Sequence, residues 1–111
     1  MSAAPPTVFD PYDPAVLDEP YESYRWLRDH DPVHLQRGQG GDADFYVLSR
    51  FEDIWAAVRD TATFSSAHGI TFRNESAELN LAPTIVMLDP PVHTRLRALI
   101  GAAFTPRRVA R

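Results

Sequence analysis

The sequence predicts a mainly α-helical chain with one small β-hairpin, an α+β fold class. Two segments have the apolar periodicity and the end signals of amphipathic helices. Two other short segments, rich in alternating or β-branched residues, flank a glycine-rich stretch, which is typical of a hairpin. The helical segments are 50–59 and 90–104, and the strands are 33–36 and 45–48.

Composition narrows the class of protein. The 111 residues are 44% hydrophobic and 23% charged, which suits one small globular domain and excludes collagenous, coiled-coil and disordered chains. Without cysteine, the chain contains no disulfide, thiolate metal site or cysteine nucleophile. Its formal net charge of -4 argues against binding to nucleic acid. It has no secretory signal and no run of the ~18 apolar residues that a membrane span needs, so we expect a cytoplasmic protein without a membrane anchor.

Charge is distributed unevenly along the chain. Every basic residue is an arginine, and no acid follows Asp89. The arginines in that last stretch are Arg95, Arg97, Arg107, Arg108 and Arg111. The sequence therefore predicts an acidic body that ends in a basic segment.

The N-terminal half contains an arm, a helix and the hairpin. Residues 1–19 are a proline-rich N-terminal arm, which we expect to lie extended over a surface. The remaining segment, 20–111, is expected to belong to one domain. Its first helix covers about 20–30 and ends before the Asp31-Pro32 pair. The hairpin follows, with a long turn over 36–44.

A second helix, about 50–59, has apolar residues at the i, i+3, i+4, i+7 spacing of one face. These residues are Phe51, Ile54, Trp55 and Val58. Trp26 and Trp55 are expected to be core or half-buried residues. Residues 61–88 lose the periodicity, which predicts a long loop with one helical turn at 74–79.

The third helix, 90–104, has the clearest end signals. We predict Asp89 as its N-cap and Pro90 as its first residue, while Pro106 prevents its continuation. At ~100° per residue, apolar side chains fill one arc of this helix. They are Val92, Leu96, Leu99, Ile100, Ala103 and Phe104. His93 and Arg97, one turn apart, lie on the edge of the arc, which favours a ligand with a large apolar body and anionic groups.

A further helix begins at Thr105-Pro106 and is barely one turn long when the sequence ends. We therefore expect a longer parent protein. The segment 89–97 resembles the D-P-P-x-H-T-R-x-R motif of the soluble bacterial cytochromes P450, and 104–107 resembles their F-[ST]-P-R motif. Val92 departs from the acid that is common before the histidine.

By this resemblance, the chain is the N-terminal part of the cytochrome P450 fold, incomplete and ending just after the C helix. The predicted elements match, in order, the A helix, the first strands of the small sheet, the B helix, the B–C loop, the C helix and the start of the D helix. The resemblance implies a monooxygenase that inserts one oxygen atom of O₂ into a small lipophilic substrate. Its haem (heme b) would be bound through a cysteine that is absent from this fragment. We therefore assign no catalytic or metal-ligating residue here and expect the fragment alone to be inactive.

The resemblance also implies roles for particular residues. His93 and Arg97 would bind the haem propionates. Substrate contacts would come from the B–C loop, at Ile85, Val86 and Met87, unless these are plain core residues. Arg95, Arg107 and Arg108 are either solvated or part of a docking surface for a ferredoxin-type or related electron carrier.

A second hypothesis is a small non-catalytic α+β module that binds an acidic protein partner through its basic C-terminal segment. A reading frame that continues past Arg111 favours the enzyme, and a stop codon there favours the module.

Overall fold

A computed structural model describes residues 9–72 and 84–110 of the chain. Its elements are α1 (Pro14–Asp18), α2 (Tyr21–His30), β1 (Val33–Gln36), β2 (Phe45–Leu48), α3 (Phe51–Arg59), a 3₁₀ helix (Ile85–Met87), α4 (Val92–Gly101) and α5 (Pro106–Val109). This confirms the mainly helical fold class with one hairpin. Contacts divide the chain into two units, Met1–Ala56 and Ala57–Arg111.

Among the described residues of the first unit, the core consists of three apolar side chains from three different segments. Phe9 precedes α1, Val16 lies in α1, and Leu27 lies in α2 and is completely buried. Trp26 and Val47 pack against this cluster, so α2 and the hairpin share one core. Trp26 is half-buried, as predicted.

The proline-rich arm is not extended throughout, so the prediction for it is wrong at Pro14–Asp18, which form α1. Asp13 is the N-cap of this helix, and its carboxylate accepts a hydrogen bond from the Ala15 N–H at 2.9 Å. Pro14 stands at the first helical position, where its fixed φ favours the helix and its missing N–H costs nothing. Burial of Val16 against the core then stabilises the short helix.

The hairpin is confirmed with antiparallel pairing. Val33 lies opposite Leu48, and Gln36 lies opposite Phe45. The strands therefore begin and end at the predicted residues.

Asp44 holds the long turn of the hairpin together. Its carboxylate accepts hydrogen bonds from the Gly38 N–H at 3.0 Å and from Arg37 Nη1 at 2.6 Å. These bonds, chiefly the one from Gly38, lower the pKa of Asp44 below its usual value of 3.8. Position 38 requires glycine because the backbone of Asp42 lies close to it. A Cβ atom there would be 2.0 Å from the Asp42 carbonyl oxygen.

Arg50 connects the end of α2 with the start of α3. Its Nε and Nη2 atoms donate to the Arg28 carbonyl oxygen at 2.9 and 2.8 Å. That carbonyl belongs to the last turn of α2, where helix carbonyls lack partners within the helix. α3 begins at the next residue, Phe51, so the second predicted helix is confirmed to within one residue.

The apolar face predicted for α3 lies at the surface of the described chain. α3 contains no buried residue. Phe51 is 69% exposed and Trp55 is 52% exposed, and their rings stack with 5.8 Å between centroids. The prediction that Trp55 is core or half-buried is therefore wrong. The helical spacing predicts a face, but burial of that face depends on a covering element.

The second unit contains the long loop and the last two helices. Residues 61–72 form turns and bends, and the 3₁₀ helix at Ile85–Met87 packs against α4. The helical turn predicted at 74–79 lies outside the described residues. α5 confirms the helix start predicted at Thr105-Pro106.

α4 is shorter than the helix predicted over 90–104, because it begins at Val92 and ends at Gly101. A residue that precedes a proline is disfavoured in the α conformation, so Pro90, before Pro91, delays the helix. Pro91 is the N-cap, and no side chain caps this end. The prediction of Asp89 as N-cap and Pro90 as first helical residue is therefore wrong.

We expect the isolated 111-residue chain to unfold without a sharp cooperative transition. Three apolar residues are buried in the described chain, and an open cavity of about 350 Å³ lies beside Leu27. Calorimetry should show a broad, weak endotherm, and the chain should enhance the fluorescence of anilinonaphthalene sulfonate. Leu27→Ala should abolish the endotherm, because it removes a fully buried side chain, whereas Leu17→Ala at an exposed position should not. A sharp two-state endotherm for the unmodified chain would contradict this expectation.

Candidate functional site

Helix α4 carries both residues that the resemblance assigns to haem contacts. The His93 N–H donates to the Asp89 carbonyl oxygen at 3.1 Å, and the Arg95 N–H donates to the Pro91 carbonyl oxygen at 3.2 Å. The helix is therefore regular from its first turn. At ~100° per residue, His93 and Arg97 share one side, whereas Arg95 is turned away by about 200° from His93.

The side chains around His93 and Arg97 combine cationic and apolar character. His93 is half-buried and Arg97 is exposed. Leu96 and Ile100, members of the predicted apolar arc, are both accessible on the same helix. α4 thus presents hydrogen-bond donors beside accessible apolar surface.

The electrostatic environment of α4 favours an anionic ligand. No acid follows Asp89 in the sequence. In the described ranges 9–72 and 84–110, Arg97 forms no ion pair with a carboxylate. Among the described residues, no carboxylate therefore occupies the donors of its guanidinium group.

Asp89 lies three residues before the first residue of α4 and bonds to a loop far away in sequence. Its Oδ1 atom accepts a hydrogen bond from the Ser66 N–H at 2.8 Å, and its Oδ2 atom accepts one from the Ser65 hydroxyl. The Ser65 hydroxyl oxygen also accepts the Ala67 N–H at 3.1 Å. We call this set of bonds the Asp89 tie. Sequence reasoning missed it, because no periodicity relates residues 65 and 89.

The Asp89 tie stabilises the ionised carboxylate. The hydrogen bond from Ser65, followed by that from Ser66, lowers the pKa of Asp89 below its usual value of 3.8, with smaller contributions from His68 and His93. A lowered pKa means that the tie contributes stability above the usual carboxyl range. That contribution is lost as the pH falls through the lowered pKa.

The structure describes the remaining candidate residues on separate elements of the second unit. Ile85 and Met87 are half-buried, whereas Val86 is 55% exposed on the same 3₁₀ helix. Arg107 and Arg108 are exposed in α5. Arg95 is exposed on α4.

Two searches of the described residues bear on other kinds of site. No group of histidine, aspartate and glutamate side chains among them is arranged to hold a metal ion. None of the helices in the described ranges has the length and apolarity needed to cross a membrane.

Comparison with known proteins gives a consistent set of relatives. No family model matches the chain. Cytochrome P450 130 of Mycobacterium tuberculosis is 51% identical over 94 residues, which cover 81% of this chain and 23% of the relative. A beta-dihydromenaquinone-9 omega-hydroxylase of Mycobacterium bovis is 40% identical over 91 residues, which cover 82% of this chain and 17% of the relative.

A solved structure extends the likeness to the fold. The crystal structure of CalO2 matches with a TM-score of 0.67 and 35% sequence identity, over 93% of this chain and 26% of that one. The chain spans about a quarter or less of the length of these relatives. The alignment with cytochrome P450 130 is 51% identical and covers 81% of the chain, and the CalO2 structure matches its fold. Together with the motif at 89–97, this shows that the chain belongs to the cytochrome P450 family.

Proposed function

We propose that this chain is part of a haem-thiolate monooxygenase, in which its own role is to bind the haem propionates. The observation that supports this most is the pair on α4, a half-buried His93 and, one helical turn away, an Arg97 that pairs with no carboxylate among the described residues. The relatives named as cytochromes P450 favour this enzyme over the non-catalytic module that binds an acidic partner. The thiolate ligand must come from outside this chain, which has no cysteine.

The residues of α4 fit a haem in their donor chemistry. A haem has a large apolar macrocycle and two carboxylates at one edge, so it needs cationic donors next to apolar surface. His93 and Arg97 provide the donors, and Leu96 and Ile100 provide accessible apolar side chains on the same helix. A phosphate or a metal ion has no apolar body that could cover Leu96 and Ile100.

In this function, Arg97 would hold a propionate through the donors of its guanidinium group, and His93 would donate to a propionate from its ring. A bound haem would cover the accessible apolar neighbours and exclude water there, which would strengthen both contacts because the local dielectric falls. The bound haem supplies the activation of O₂. The role of this chain is therefore to hold and orient the cofactor.

For the substrate, we propose a small lipophilic compound that contacts the 3₁₀ helix. Val86 is the exposed member of the three candidate residues, and Ile85 and Met87 are half-buried beside it. All three side chains are apolar, so they suit an apolar substrate. The hydroxylase relative is named for a menaquinone, which is a lipophilic molecule.

For electron supply, we propose a ferredoxin-type or related carrier that receives electrons from NAD(P)H in the cytoplasm. Arg95 faces away from the His93 side of α4, and Arg107 and Arg108 follow in α5. These exposed arginines lie in a segment without acids, which suits association with an acidic protein.

In the complete haem protein, Arg97→Ala should release haem faster than Arg95→Ala does. Removing a charge-assisted hydrogen bond costs about 1.5 to 3 kcal/mol, which corresponds to roughly tenfold or more in haem retention. Transfer of haem to apomyoglobin measures this directly. Arg95→Ala is the matched control, since it removes the same side chain from the opposite side of the same helix. Equal transfer rates for the two variants would contradict the placement of Arg97.

Charge reversal by Arg95→Glu should slow reduction by the ferredoxin at low ionic strength and leave haem content unchanged. Exposed charges act on the association rate and are screened beyond ~10 Å at 0.1 M salt, so the deficit should shrink as salt is added. Stopped-flow measurement of the second-order rate tests this. Arg25→Glu, an equal charge change at an exposed position of α2, is the control. A wild-type rate for Arg95→Glu at low salt would show that Arg95 is a solvated surface residue.

A further inference from the structure

Asp89 bonds to two parts of the second unit with different groups. Its carboxylate holds the loop, through the Ser65 hydroxyl and the Ser66 N–H. Its main-chain carbonyl accepts the His93 N–H at 3.1 Å, which is a bond of the first turn of α4. One residue therefore joins the loop after α3 to the residue that we propose as a propionate ligand.

The start of α4 lacks the usual means of fixing a helix end. Pro90 and Pro91 have no N–H group, and the N-cap position, Pro91, makes no side-chain capping bond. The direction in which the chain enters α4 must therefore be fixed by something outside the helix. In the described chain, the Asp89 carboxylate accepts two hydrogen bonds just before the start of α4.

Both hydrogen bonds are of a strong kind. A carboxylate that accepts from a hydroxyl and from a backbone N–H forms charge-assisted bonds, which are about twice as strong as neutral ones. The lowered pKa of Asp89, caused chiefly by the hydrogen bonds from Ser65 and Ser66, agrees with this. Ser65 is itself held, because its oxygen accepts the Ala67 N–H.

We propose that Asp89 is a positioning residue. Through its bonds to Ser65 and Ser66, it fixes the orientation of α4 and therefore the direction in which His93 and Arg97 face. This inference rests on the proposed haem function. Its physical content is that the loop at 65–67 determines the position of Asp89, and that Asp89 passes this position to His93 through a single backbone hydrogen bond. Asp89 itself touches neither haem nor substrate in this role.

Neighbouring serines provide a matched pair of variants. Ser65 contributes its hydroxyl to the tie, whereas Ser66 contributes only its backbone N–H, which alanine retains. Ser65→Ala therefore removes two bonds of the tie, the one to Asp89 and the one from the Ala67 N–H, whereas Ser66→Ala removes none. Ser65→Thr keeps the hydroxyl and should rescue the effect of Ser65→Ala.

The measurement is haem transfer from the complete haem protein to apomyoglobin, at a temperature below the melting range of every variant. Ser65→Ala should transfer haem roughly threefold to tenfold faster than the wild type, a smaller effect than that of Arg97→Ala, because the lost bonds act on haem only through the position of α4. Ser66→Ala and Ser65→Thr should behave like the wild type. Equal rates for Ser65→Ala and Ser66→Ala would overturn the inference.

A double variant distinguishes an effect on the position of Arg97 from a general loss of stability of the fold. If Asp89 acts through the His93–Arg97 side, the effect of Ser65→Ala should shrink once Arg97 has been replaced by alanine. An undiminished effect in that background would mean that Ser65 acts on the fold as a whole, and would also overturn the inference.

The same variants distinguish the inference from the function on which it rests. If Arg97→Ala accelerates haem transfer and Ser65→Ala does not, the haem function stands and the positioning role of Asp89 is wrong. If Arg97→Ala has no effect, the propionate site itself is wrong, and the positioning role fails with it.

Discussion

Proline stands at the start of four of the five α-helices that the structure describes, all except α3, and both the core and the candidate site depend on those boundaries. α1 starts at Pro14 and α5 starts at Pro106, each at the first helical position. α2 and α4 each start at the residue after a proline that forms the N-cap. Because proline has a fixed φ and no N–H, it suits a helix start and resists the helix interior. The resulting boundaries place Val16 and Leu27 in the core and His93 in the first turn of α4.

Sequence reasoning predicts such local features well. The helix over 20–30, the helix over 50–59 and both strands match the structure to within one residue, because periodicity and flanking residues act over a few positions. The short helix α1 was missed although Asp13-Pro14 is the same start signal as Thr105-Pro106. Several prolines within a short segment favour an extended arm. One N-cap and one buried valine are nevertheless enough for a short helix.

Long-range contacts are where prediction from the sequence ends. A carboxylate before a proline has two options, to cap its own helix or to accept hydrogen bonds from another segment. Asp13 follows the first option and Asp89 follows the second, although both precede a proline. The difference lies in the loop at residues 65–66, which the fold brings next to Asp89 and which no local pattern could identify.

Burial is likewise a property of the whole fold. The spacing of Phe51, Trp55 and Val58 predicts one helical face correctly, yet all three side chains are exposed in the described chain. Amphipathic spacing indicates which residues share a face. The stabilising free energy depends on how much apolar surface a covering element removes from water, at ~25 cal/mol per Å². Covering the exposed apolar residues of α3 and α4 would therefore add to the free energy of folding or binding.

Helical geometry gives the arginines of α4 different environments at almost the same place in the sequence. Arg95 and Arg97 have the same charge and both lack acidic neighbours in the segment after Asp89. Two residues of helix separate them by about 200°, so Arg97 shares a side with half-buried His93 while Arg95 does not. A charge beside a half-buried donor gains from a lower dielectric and can hold a ligand tightly, whereas a fully solvated charge acts mainly on the rate of encounter. In the proposed function, this difference assigns the two arginines to different tasks, Arg97 to the bound cofactor and Arg95 to the transient partner.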